Sequence, residues 1–471
     1  MGRSSTALRR LELSGIVRSS CAALAVLTAA CAPAKGQGGL SANGTGQPSL
    51  SNEQRALLAQ LELTNTAPVA DPTNAFADDP KAAAFGQKLF FYSGFSGPLL
   101  DSDNDGSPES LGRKGETGRV SCASCHVPEA GFSDNRSRGK QISLASGWVL
   151  RRTPSLLDAG QRRLLTWIAK SDSFLNQVFG PIESEIEMNS SRLFVAEEVF
   201  RSFREDYESI FGELPPFDDT ARFPALPPER AGCDALPSPL VTPVCAGRPG
   251  DNAEFDSLSP ADQDAVTRVV ANLGKALGAY VRKLSCGPGR FDAWLGGQAD
   301  ALSAEEQRGA GLFVGKGRCV ECHGGPYLSD FDFHNVGLEP GIVAVAFIDK
   351  DDPGASAGLA ELLENPLNSK GPFSDGDDQR LPEAVEPRML GAFATPTLRC
   401  VASRPSFMHT GQFRALEDVL AFFNAGGSMS GFPGTSELTP LRMSSQERAD
   451  LLAFLYALEG PGPAPELLAP P

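Results

Sequence analysis

Histidine is scarce in this chain of 471 residues, which contains only His126, His323, His334 and His409. A zinc site needs several histidine or cysteine ligands close together, and of these four histidines only His323 and His334 are near each other in sequence. Two of them directly follow a Cys-x-x-Cys pair. Few histidines are therefore left for any other metal or proton chemistry.

Positive charge is also in short supply, because 42 lysine and arginine residues stand against 58 aspartate and glutamate residues, a net charge of −16. Nucleic-acid binding depends on a surplus of basic side chains, so the composition argues against it. An acidic surface is compatible with a basic protein partner, such as a small electron donor, although it also serves solubility alone.

Long hydrophobic runs are lacking as well. The apolar run at residues 21–32 is too short to cross a bilayer and follows four arginines. This pattern predicts a secretion signal over residues 1–35 and a location in the periplasm or cell envelope. Residues 27–31 resemble a lipoprotein cleavage box that would lipidate Cys31 and tether the chain to a membrane; a plain cut at nearby small residues is the alternative.

Two pentapeptides share the pattern Cys-x-x-Cys-His: the first motif, residues 122–126, and the second motif, residues 319–323. Random placement of ten cysteines and four histidines in 471 positions gives roughly 0.002 expected matches. Two thiols at this spacing add to the vinyl groups of a c-type haem, and the adjacent imidazole becomes the proximal iron ligand. A redox pair needs no following histidine, and half of a zinc site would need more ligands nearby. The residues predicted to hold two haem c groups are Cys122, Cys125, His126, Cys319, Cys322 and His323.

Four cysteines remain outside the two motifs and the signal segment: Cys233, Cys245, Cys286 and Cys400. Their even number in an exported protein predicts disulfide bonds. Cys233 and Cys245 enclose the loop that is easiest to close.

An acidic loop precedes the first motif. Asp101, Asp103, Asp105 and Gly106 have the spacing of a calcium loop, but Gly112 stands where an EF-hand places its bidentate glutamate. The pattern fits either a calcium ion on the three aspartates or a solvated acidic turn.

Helical periodicity and capping signals predict a mainly α fold with long irregular loops. Helices are predicted at residues 53–63, 81–92, 167–211, 259–284, 416–423 and 444–458, and after the Ser303–Glu306 capping box. Irregular segments are predicted at residues 127–158, 217–260 and 324–387. The predicted organisation is a flexible tether (36–80), an N-terminal haem domain (81–258), a C-terminal haem domain (259–430), and a final helix with a frayed tail (431–471).

Residues 80–460 resemble the bacterial di-haem cytochrome c peroxidase and MauG family. The resemblance rests on the segments CASCHVPEAGFSDNRSRG, RRTPSLLDA, QVFGPIESEIEMN, FDAWL, GKGRCVECHGGPYLSDFDFHNVG, TPTLR and FMHTGQFRALEDVLAFFNAGG. It implies two cytochrome c-like domains, each holding one haem, with Trp167 between the haems. Without the resemblance, Trp167 would be interpreted as a core aromatic.

The resemblance also implies that the N-terminal haem splits peroxide, with Glu187 and Gln177 on its distal side. A carboxylate above the iron can move a proton from the inner to the outer peroxide oxygen. On its own, Glu187 is one of three acids in residues 183–187, which would be interpreted as a solvated face.

Two departures from the family concern the iron ligands. The family's blocking histidine is missing from residues 127–158, so we expect the first haem to be five-coordinate and open at rest. Phe423 occupies the position of the family's Met or Tyr ligand to the second haem. The second haem is then either open as well or bound by another residue, with Met408 and Met429 the nearest candidates.

A third departure concerns a calcium ion that the family binds between its domains. Arg152 replaces the expected asparagine, and Arg404 and Ser406 occupy the other two ligand positions. Two guanidinium groups would repel a divalent cation. We therefore predict that this calcium site is absent and that an arginine takes over part of its charge.

Three functions are consistent with these features. The first is a periplasmic peroxidase that reduces hydrogen peroxide with electrons from a cytochrome c or a cupredoxin. The second is a MauG-like oxidase that modifies residues of a partner protein. The third is a di-haem electron-transfer cytochrome, which would leave Glu187 and Gln177 without a purpose.

Overall fold

The computed structural model describes residues 50–64, 66–136, 143–341, 350–377 and 379–471. All of them belong to one compact unit, Ala42–Pro471. The predicted secretion signal and Cys31 lie outside the described residues. None of the described helices combines the length and the apolar character needed to cross a membrane.

The described part of the chain is dominated by helices, which confirms the predicted mainly α class. The α-helices are α1 (Asn52–Ala59), α2 (Pro80–Phe91), α3 (Cys122–Cys125), α4 (Phe174–Gln177), α5 (Phe179–Glu183), α6 (Arg192–Ser202), α7 (Arg204–Phe211), α8 (Pro260–Val281), α9 (Arg290–Leu295), α10 (Ala304–Val314), α11 (Ala355–Glu364), α12 (Leu416–Ala425) and α13 (Ser445–Tyr456). Short 3-10 helices lie at Pro128–Ala130, Ala159–Gln161, Pro228–Arg230, Cys319–Glu321, Pro387–Met389, Val401–Ser403 and Pro465–Leu467. Two antiparallel pairs of short strands join β1 (Gly232–Cys233) to β2 (Cys245–Ala246), and β3 (Phe333–His334) to β4 (Phe393–Ala394).

Helices α2 and α8 cross closely beside the first motif. A Cβ atom at Gly86 on α2 would lie 2.0 Å from the carbonyl oxygen of Ala276 on α8, so only glycine permits this approach. Helix α8 also packs on α4 and α6. Cys125 of the first motif packs against the apolar core that these helices build.

Helices α10 and α13 form a similar crossing beside the second motif. A Cβ atom at Gly309 on α10 would lie 2.1 Å from the carbonyl oxygen of Asp450 on α13. The predicted capping box of Ser303 and Glu306 starts α10. Cys319 of the second motif packs against the core of this pair. Each motif therefore sits beside two helices held close by one glycine.

The predicted flexible tether does not hold for residues 50–80, although residues 36–49 lie outside the described residues. Helix α1 packs on α10, and Leu58 and Leu61 are buried in the core of the second motif. The buried Arg399 also donates to the carbonyl oxygen of Leu61 at 2.8 Å. The apolar side chains of this segment bind it to the body because they complete a core that the rest of the chain leaves open.

The C-terminal tail is docked, so the prediction of a frayed end was wrong. The hydroxyl of Tyr280 donates to the carbonyl oxygen of Leu467 at 2.6 Å, and Gln87 donates to the carbonyls of Glu466 and Ala469. The predicted boundary at residues 258 and 259 does not coincide with a gap in packing, because α8 packs against helices on the N-terminal side of that boundary.

Two predicted segments differ in their helix content. Residues 167–211 contain four short helices, because Ala169 and Asn189 adopt left-handed backbone with φ of 58° and 45°, which a continuous α-helix excludes. Helix α11 lies inside residues 324–387, which were predicted to be irregular.

Disulfide bonds join Cys233 to Cys245, as predicted, and Cys286 to Cys400. The second bond spans 114 residues of sequence. The four motif cysteines, Cys122, Cys125, Cys319 and Cys322, are free thiols.

Candidate functional site

Both motifs line one cavity of about 1100 Å³. Single small-molecule sites usually occupy about 300–1,000 Å³, so this cavity is larger than one such ligand needs. The predicted haem residues in its wall are Cys122, Cys125, His126, Cys319, Cys322 and His323. The fold thus brings together six residues from two distant parts of the chain.

The two motif histidines are oriented in the same way. Nδ1 of His126 lies 3.2 Å from the carbonyl oxygen of Phe132, and Nδ1 of His323 lies 2.9 Å from that of Leu328. A carbonyl can only accept, so Nδ1 carries the proton and Nε2 keeps its lone pair for a metal. Phe132 and Leu328 both have positive φ, 56° and 52°, which indicates that the surrounding loop enforces this strained backbone.

The charge states in the cavity suit haem c. Burial lowers the pKa of His126 and of His323 to about 4, so both imidazoles are neutral at pH 7, as metal ligation requires. Burial raises the pKa of Cys122, Cys125 and Cys319 to about 12, which keeps these thiols protonated and unpaired. Neutral imidazoles and free thiols in a large cavity fit two covalently attached haems.

Glu187 and Gln177 both line the cavity. Gln177 is the last residue of α4, and its Oε1 accepts from the hydroxyl of Ser171 at 2.7 Å. Burial raises the pKa of the Glu187 carboxyl. The carbonyl oxygen of Glu187 accepts from the amide of Ser146 at 2.9 Å, and the adjacent Met188 lies in the core against which Cys125 packs, so Glu187 is on the side of the first motif.

Trp167 lies between segments that belong to the two motifs. Its Nε1 donates to the carbonyl oxygen of Arg152 at 2.6 Å, and its own carbonyl accepts from the amide of Ala394 at 3.0 Å. Its ring centroid is 6.4 Å from that of His409, which stacks on Phe393 at 3.4 Å. Trp167 also packs against a small apolar core, so it serves as a core aromatic and as part of the cavity wall.

The wall beside the second motif combines apolar side chains with the charged His334 and Glu437 at its edge. Phe423 and Met408 line the cavity, as does the buried Met443. Met429 is fully exposed, which removes it from the two candidates for the second iron's ligand. Met443 was not predicted from the sequence as a residue of this wall. The only sequence signal for it is that it directly precedes Ser444, the N-cap of α13.

The three aspartates of the acidic loop are engaged separately. Oδ1 of Asp101 accepts from the amide of Asp103 at 2.9 Å, and Oδ1 of Asp105 accepts from the amide of Ser107 at 2.8 Å. Oδ2 of Asp103 accepts from the indole of Trp148 at 2.9 Å. In the described ranges, the ligand atoms of the three do not converge on one point, so a calcium ion here stays a prediction that the geometry does not support.

One group of side chains does converge as a metal site would, namely Cys322, Asp330 and His334. His334 lies 2.9 Å from Asp330 and 2.7 Å from Glu437, and the hydrogen bond to Asp330 is the main reason that its pKa is raised to about 11. The sulfur of Cys322 is expected to bind haem covalently. We therefore interpret His334 as an imidazolium held by two carboxylates at the edge of the second site.

Arg152, Arg404 and Ser406 lie together where the resembling family holds calcium between its domains. Nη1 of Arg152 donates to Oγ of Ser406 at 2.8 Å. Burial and the neighbouring charge of Arg404 lower the pKa of Arg152 to about 9. A guanidinium group thus stands beside Ser406, as expected if arginine replaces the cation, and the absence of calcium itself stays a prediction.

Comparison with known sequences supports the same family. The sequence profile described as di-haem cytochrome c peroxidase matches residues 80–226. Cytochrome-c peroxidase IdrP1 of Denitromonas iodatirespirans is 28% identical over 82% of this chain and 84% of its own. Methylamine utilization protein MauG of Methylorubrum extorquens is 29% identical over 74% of each chain, and cytochrome c551 peroxidase of Pseudomonas aeruginosa is 26% identical over 74% of this chain and 75% of its own.

Solved structures share the fold. The di-haem peroxidase BthA of Burkholderia thailandensis superposes with a TM-score of 0.56 at 23% identity, over 83% of this chain and 88% of its own. A MauG-like protein associated with microbial copper homeostasis gives a TM-score of 0.52 at 25% identity, over 86% of this chain and 97% of its own. The profile match, the relatives and the shared fold thus agree with the two haem motifs: the chain is similar to di-haem cytochrome c peroxidases and to MauG, and the profile match covers residues 80–226.

Proposed function

We propose that the protein is a periplasmic di-haem peroxidase that reduces hydrogen peroxide to water with electrons from a small redox protein, such as a cytochrome c or a cupredoxin. The observation that carries this proposal is the position of Glu187 and Gln177 in the cavity wall on the side of the first motif. One peroxide molecule, two electrons and two protons give two water molecules. The protein partner would meet a chain with a net charge of −16.

Six residues would hold the cofactors. Cys122 and Cys125 would form the thioether bonds of the first haem, with His126 as its proximal ligand; Cys319, Cys322 and His323 would do the same for the second. When bound, the haems supply iron for peroxide binding and for electron transfer. The hydrogen bonds from the two imidazoles to Phe132 and Leu328 fix the ring orientation that this ligation requires.

Glu187 would act as the proton carrier at the first site. A carboxyl group whose pKa is raised toward neutral takes up and returns protons more readily near pH 7 than an ordinary glutamate does. It would accept the proton from the inner peroxide oxygen and deliver it to the outer oxygen, which leaves as water. Gln177, whose Oε1 is fixed by Ser171, would orient the substrate through its amide N–H groups.

Trp167 would lie on the path of electrons between the two sites. Its indole is fixed by the hydrogen bond to Arg152, and its backbone is fixed by Ala394 of β4. One of these hydrogen-bond partners follows the first motif in sequence, and the other follows the second motif. A rigid aromatic ring in this position shortens the gap that an electron has to cross.

The test of this proposal is peroxide turnover by Glu187→Gln in the protein carrying both haems. The rate should fall by roughly 10²–10⁴-fold, the range typical of a lost acid–base group. Glu185→Gln is the matched control, because Glu185 belongs to the same acidic segment but is not part of the cavity wall as described. Its charge raises the pKa of Glu187, so this variant should change the rate only slightly. Equal peroxide kinetics in Glu187→Gln and the parent would remove the carboxylate from the mechanism and favour an electron-transfer cytochrome.

A MauG-like oxidase is the second candidate, favoured by the relatives named MauG and by the absence of histidine from residues 127–158. The two functions differ in the source of electrons. Mixing the protein with peroxide and reduced cytochrome c, and following both spectra, separates them. Rapid oxidation of the cytochrome supports the peroxidase, whereas slow oxidation with a long-lived oxidised haem state supports the oxidase.

A further inference from the structure

Two arginines of the cavity wall, the buried Arg152 and the half-buried Arg404, each have a buried N–H group without a hydrogen-bond partner. Arg152 is 4% exposed, and its Nη2 has no acceptor, although its Nη1 reaches Ser406. Arg404 donates through Nη2 to the carbonyl oxygen of Arg399 at 3.3 Å, whereas its Nε has no acceptor. Both side chains line the cavity.

The neighbouring Arg151 has the carboxylate partner that Arg152 and Arg404 lack. Arg151 forms two hydrogen bonds of 2.8 and 2.7 Å with the carboxylate of Asp352. Within the described part of the chain, neither Arg152 nor Arg404 has such a carboxylate within ion-pair distance. Arg162 lines the same cavity and also has an unpartnered Nη2, but two backbone carbonyls accept from its other nitrogens.

Two guanidinium groups without an ion-paired carboxylate are costly to bury, and the nearest carboxylates, Asp134 for Arg152 and Asp158 and Glu459 for Arg404, act on them only from a longer distance. A buried charge is stable only when it is paired and hydrogen-bonded, and here the two like charges lie close enough for Arg404 to lower the pKa of Arg152. An anion in the cavity would remove both costs. The forked donors of arginine match a carboxylate, which can accept two hydrogen bonds side by side.

The ligand that fills the cavity would have to carry the anionic group. A haem carries two propionate groups, which are carboxylates on an otherwise apolar ring system, so it matches an apolar cavity with a few cationic donors. We propose that Arg152 and Arg404 bind haem propionates, so that side chains supply the positive charge that a calcium ion would otherwise bring. This inference rests on the proposed function, because it requires haem in the cavity.

The surroundings of the two arginines connect both motifs. The amide of Arg152 donates to the carbonyl oxygen of His409 at 2.8 Å, and its carbonyl accepts from Trp167. Asp134 influences the pKa of both Arg152 and His126, and Arg404 influences that of His323. Arg152 is therefore tied to the segments that hold Trp167 and His409, and Arg404 lies close enough to His323 for its charge to act on that imidazole.

The experiment compares Arg152→Gln and Arg404→Gln with the parent by redox titration of each haem and by resonance Raman spectroscopy of the propionate bending bands. Positive charge near a haem favours the ferrous state. Each substitution should therefore raise the ferric-to-ferrous ratio at a fixed solution potential by about tenfold, a fall in midpoint potential of about 59 mV for one electron. Arg388→Gln removes an exposed arginine outside the cavity wall as described and should leave both potentials near those of the parent.

The lysine variants Arg152→Lys and Arg404→Lys keep the charge but lose the fork. Their midpoint potentials should stay close to those of the parent, while the propionate bending bands shift. These variants also provide the test if a Gln variant fails to fold. A parent without haem overturns this inference together with the proposed function. A parent with two haems, and with unchanged potentials and propionate bands in the folded variants, overturns this inference alone, as does stoichiometric calcium whose removal by a chelator shifts the parent's potentials.

Discussion

The two motif sites hold their histidines in the same way but differ in the part of the cavity wall that faces each histidine. At both, a neutral imidazole donates from Nδ1 to a carbonyl in a left-handed turn. The first site has Glu187 and Gln177 in its wall, whereas the second has Phe423, Met408 and Met443, with the ion pair of His334 and Glu437 at its edge.

The difference teaches that attachment and reactivity are separate properties of this fold. The local loop from cysteine to carbonyl is short in sequence and is repeated almost unchanged. The facing wall comes from residues more than 50 positions after each motif, so it can vary without disturbing the haem. In the proposed function, the carboxyl of Glu187 in the first wall carries protons, and Phe423, Met408 and Met443 in the second wall offer no such group.

The largest expected effect follows from removing one attachment unit. Replacing Cys122 and Cys125 by alanine should remove one covalent haem and abolish peroxide turnover, while the matched replacement of Cys319 and Cys322 removes the other haem. Mass spectrometry of the mature chain and acid-acetone extraction count the haems. A parent protein matured with its attachment machinery that carries a single haem would contradict the two-site description.

The pH dependence of peroxide cleavage should distinguish the polar wall. Burial holds the pKa of Glu187 above the ordinary 4.5, and the base form is the active one. The rate should therefore fall as the pH drops through that raised pKa, by roughly tenfold for each further unit. The measurement is the stopped-flow rate of peroxide cleavage between about pH 4 and pH 8, a range that includes the ordinary pKa of a glutamate and values above it. Glu187→Gln should lose this dependence, and an unchanged profile in that variant would assign the titration to another group.

Gln177→Ala should reduce the peroxide rate less than Glu187→Gln, because Gln177 orients the substrate and transfers no proton. The same stopped-flow measurement applies, with Glu185→Gln as the control. A larger loss for Gln177→Ala would reverse the two roles.

The spin states of the oxidised protein should separate the two sites. The first iron should be high-spin in the all-ferric form and react with peroxide before any reduction, because no histidine is available in residues 127–158. Phe423 cannot ligate iron, so Phe423→Met should change the electron paramagnetic resonance signal of the second haem and leave that of the first. Two low-spin haems in the parent, with no reaction until one electron is added, would contradict the open first site.

The smallest expected effect concerns the two helix crossings. Gly86→Ala and Gly309→Ala each force a methyl group against a carbonyl oxygen and should lower the free energy of unfolding by about 1–3 kcal/mol. Chemical denaturation measures this loss. Gly462→Ala is the control, since a Cβ at Gly462 meets nothing within 4 Å. Equal stability of all three variants would show that the crossings can relax.

The cysteines and histidines of the two motifs could be predicted from sequence, because haem attachment depends on residues that are adjacent in the chain. Thioether attachment and ligation require five consecutive residues, and a capping box requires four, so both leave a readable pattern. The carbonyl partners Phe132 and Leu328 left none, because a carbonyl is present in every residue. The pairing of Arg152 with Ser406 joins residues 254 positions apart, and its geometry became visible only in the fold.

The errors have a similar origin. The composition of residues 40–80, which is rich in Ser, Thr, Asn, Gly and Pro, predicts a tether, yet Leu58 and Leu61 complete a core built by α10 and α13. The tail was interpreted as frayed because its prolines exclude a helix, yet its carbonyls accept hydrogen bonds from Gln87 and Tyr280. In both segments the partners lie hundreds of residues away in sequence.

The bond between Cys286 and Cys400 has a consequence for maturation. It closes a covalent loop that contains the whole second motif, and closing a loop of about 100 residues removes chain entropy worth about 4.7 kcal/mol from the unfolded state. Within this loop, Cys319 and Cys322 have to stay reduced until haem is attached, while the two cysteines at its ends become oxidised. The first motif lies outside any such loop in the described chain. Both motifs need reduced thiols until haem is attached, but only at the second motif does the oxidation of Cys286 and Cys400 also close the loop in which the haem has to be attached.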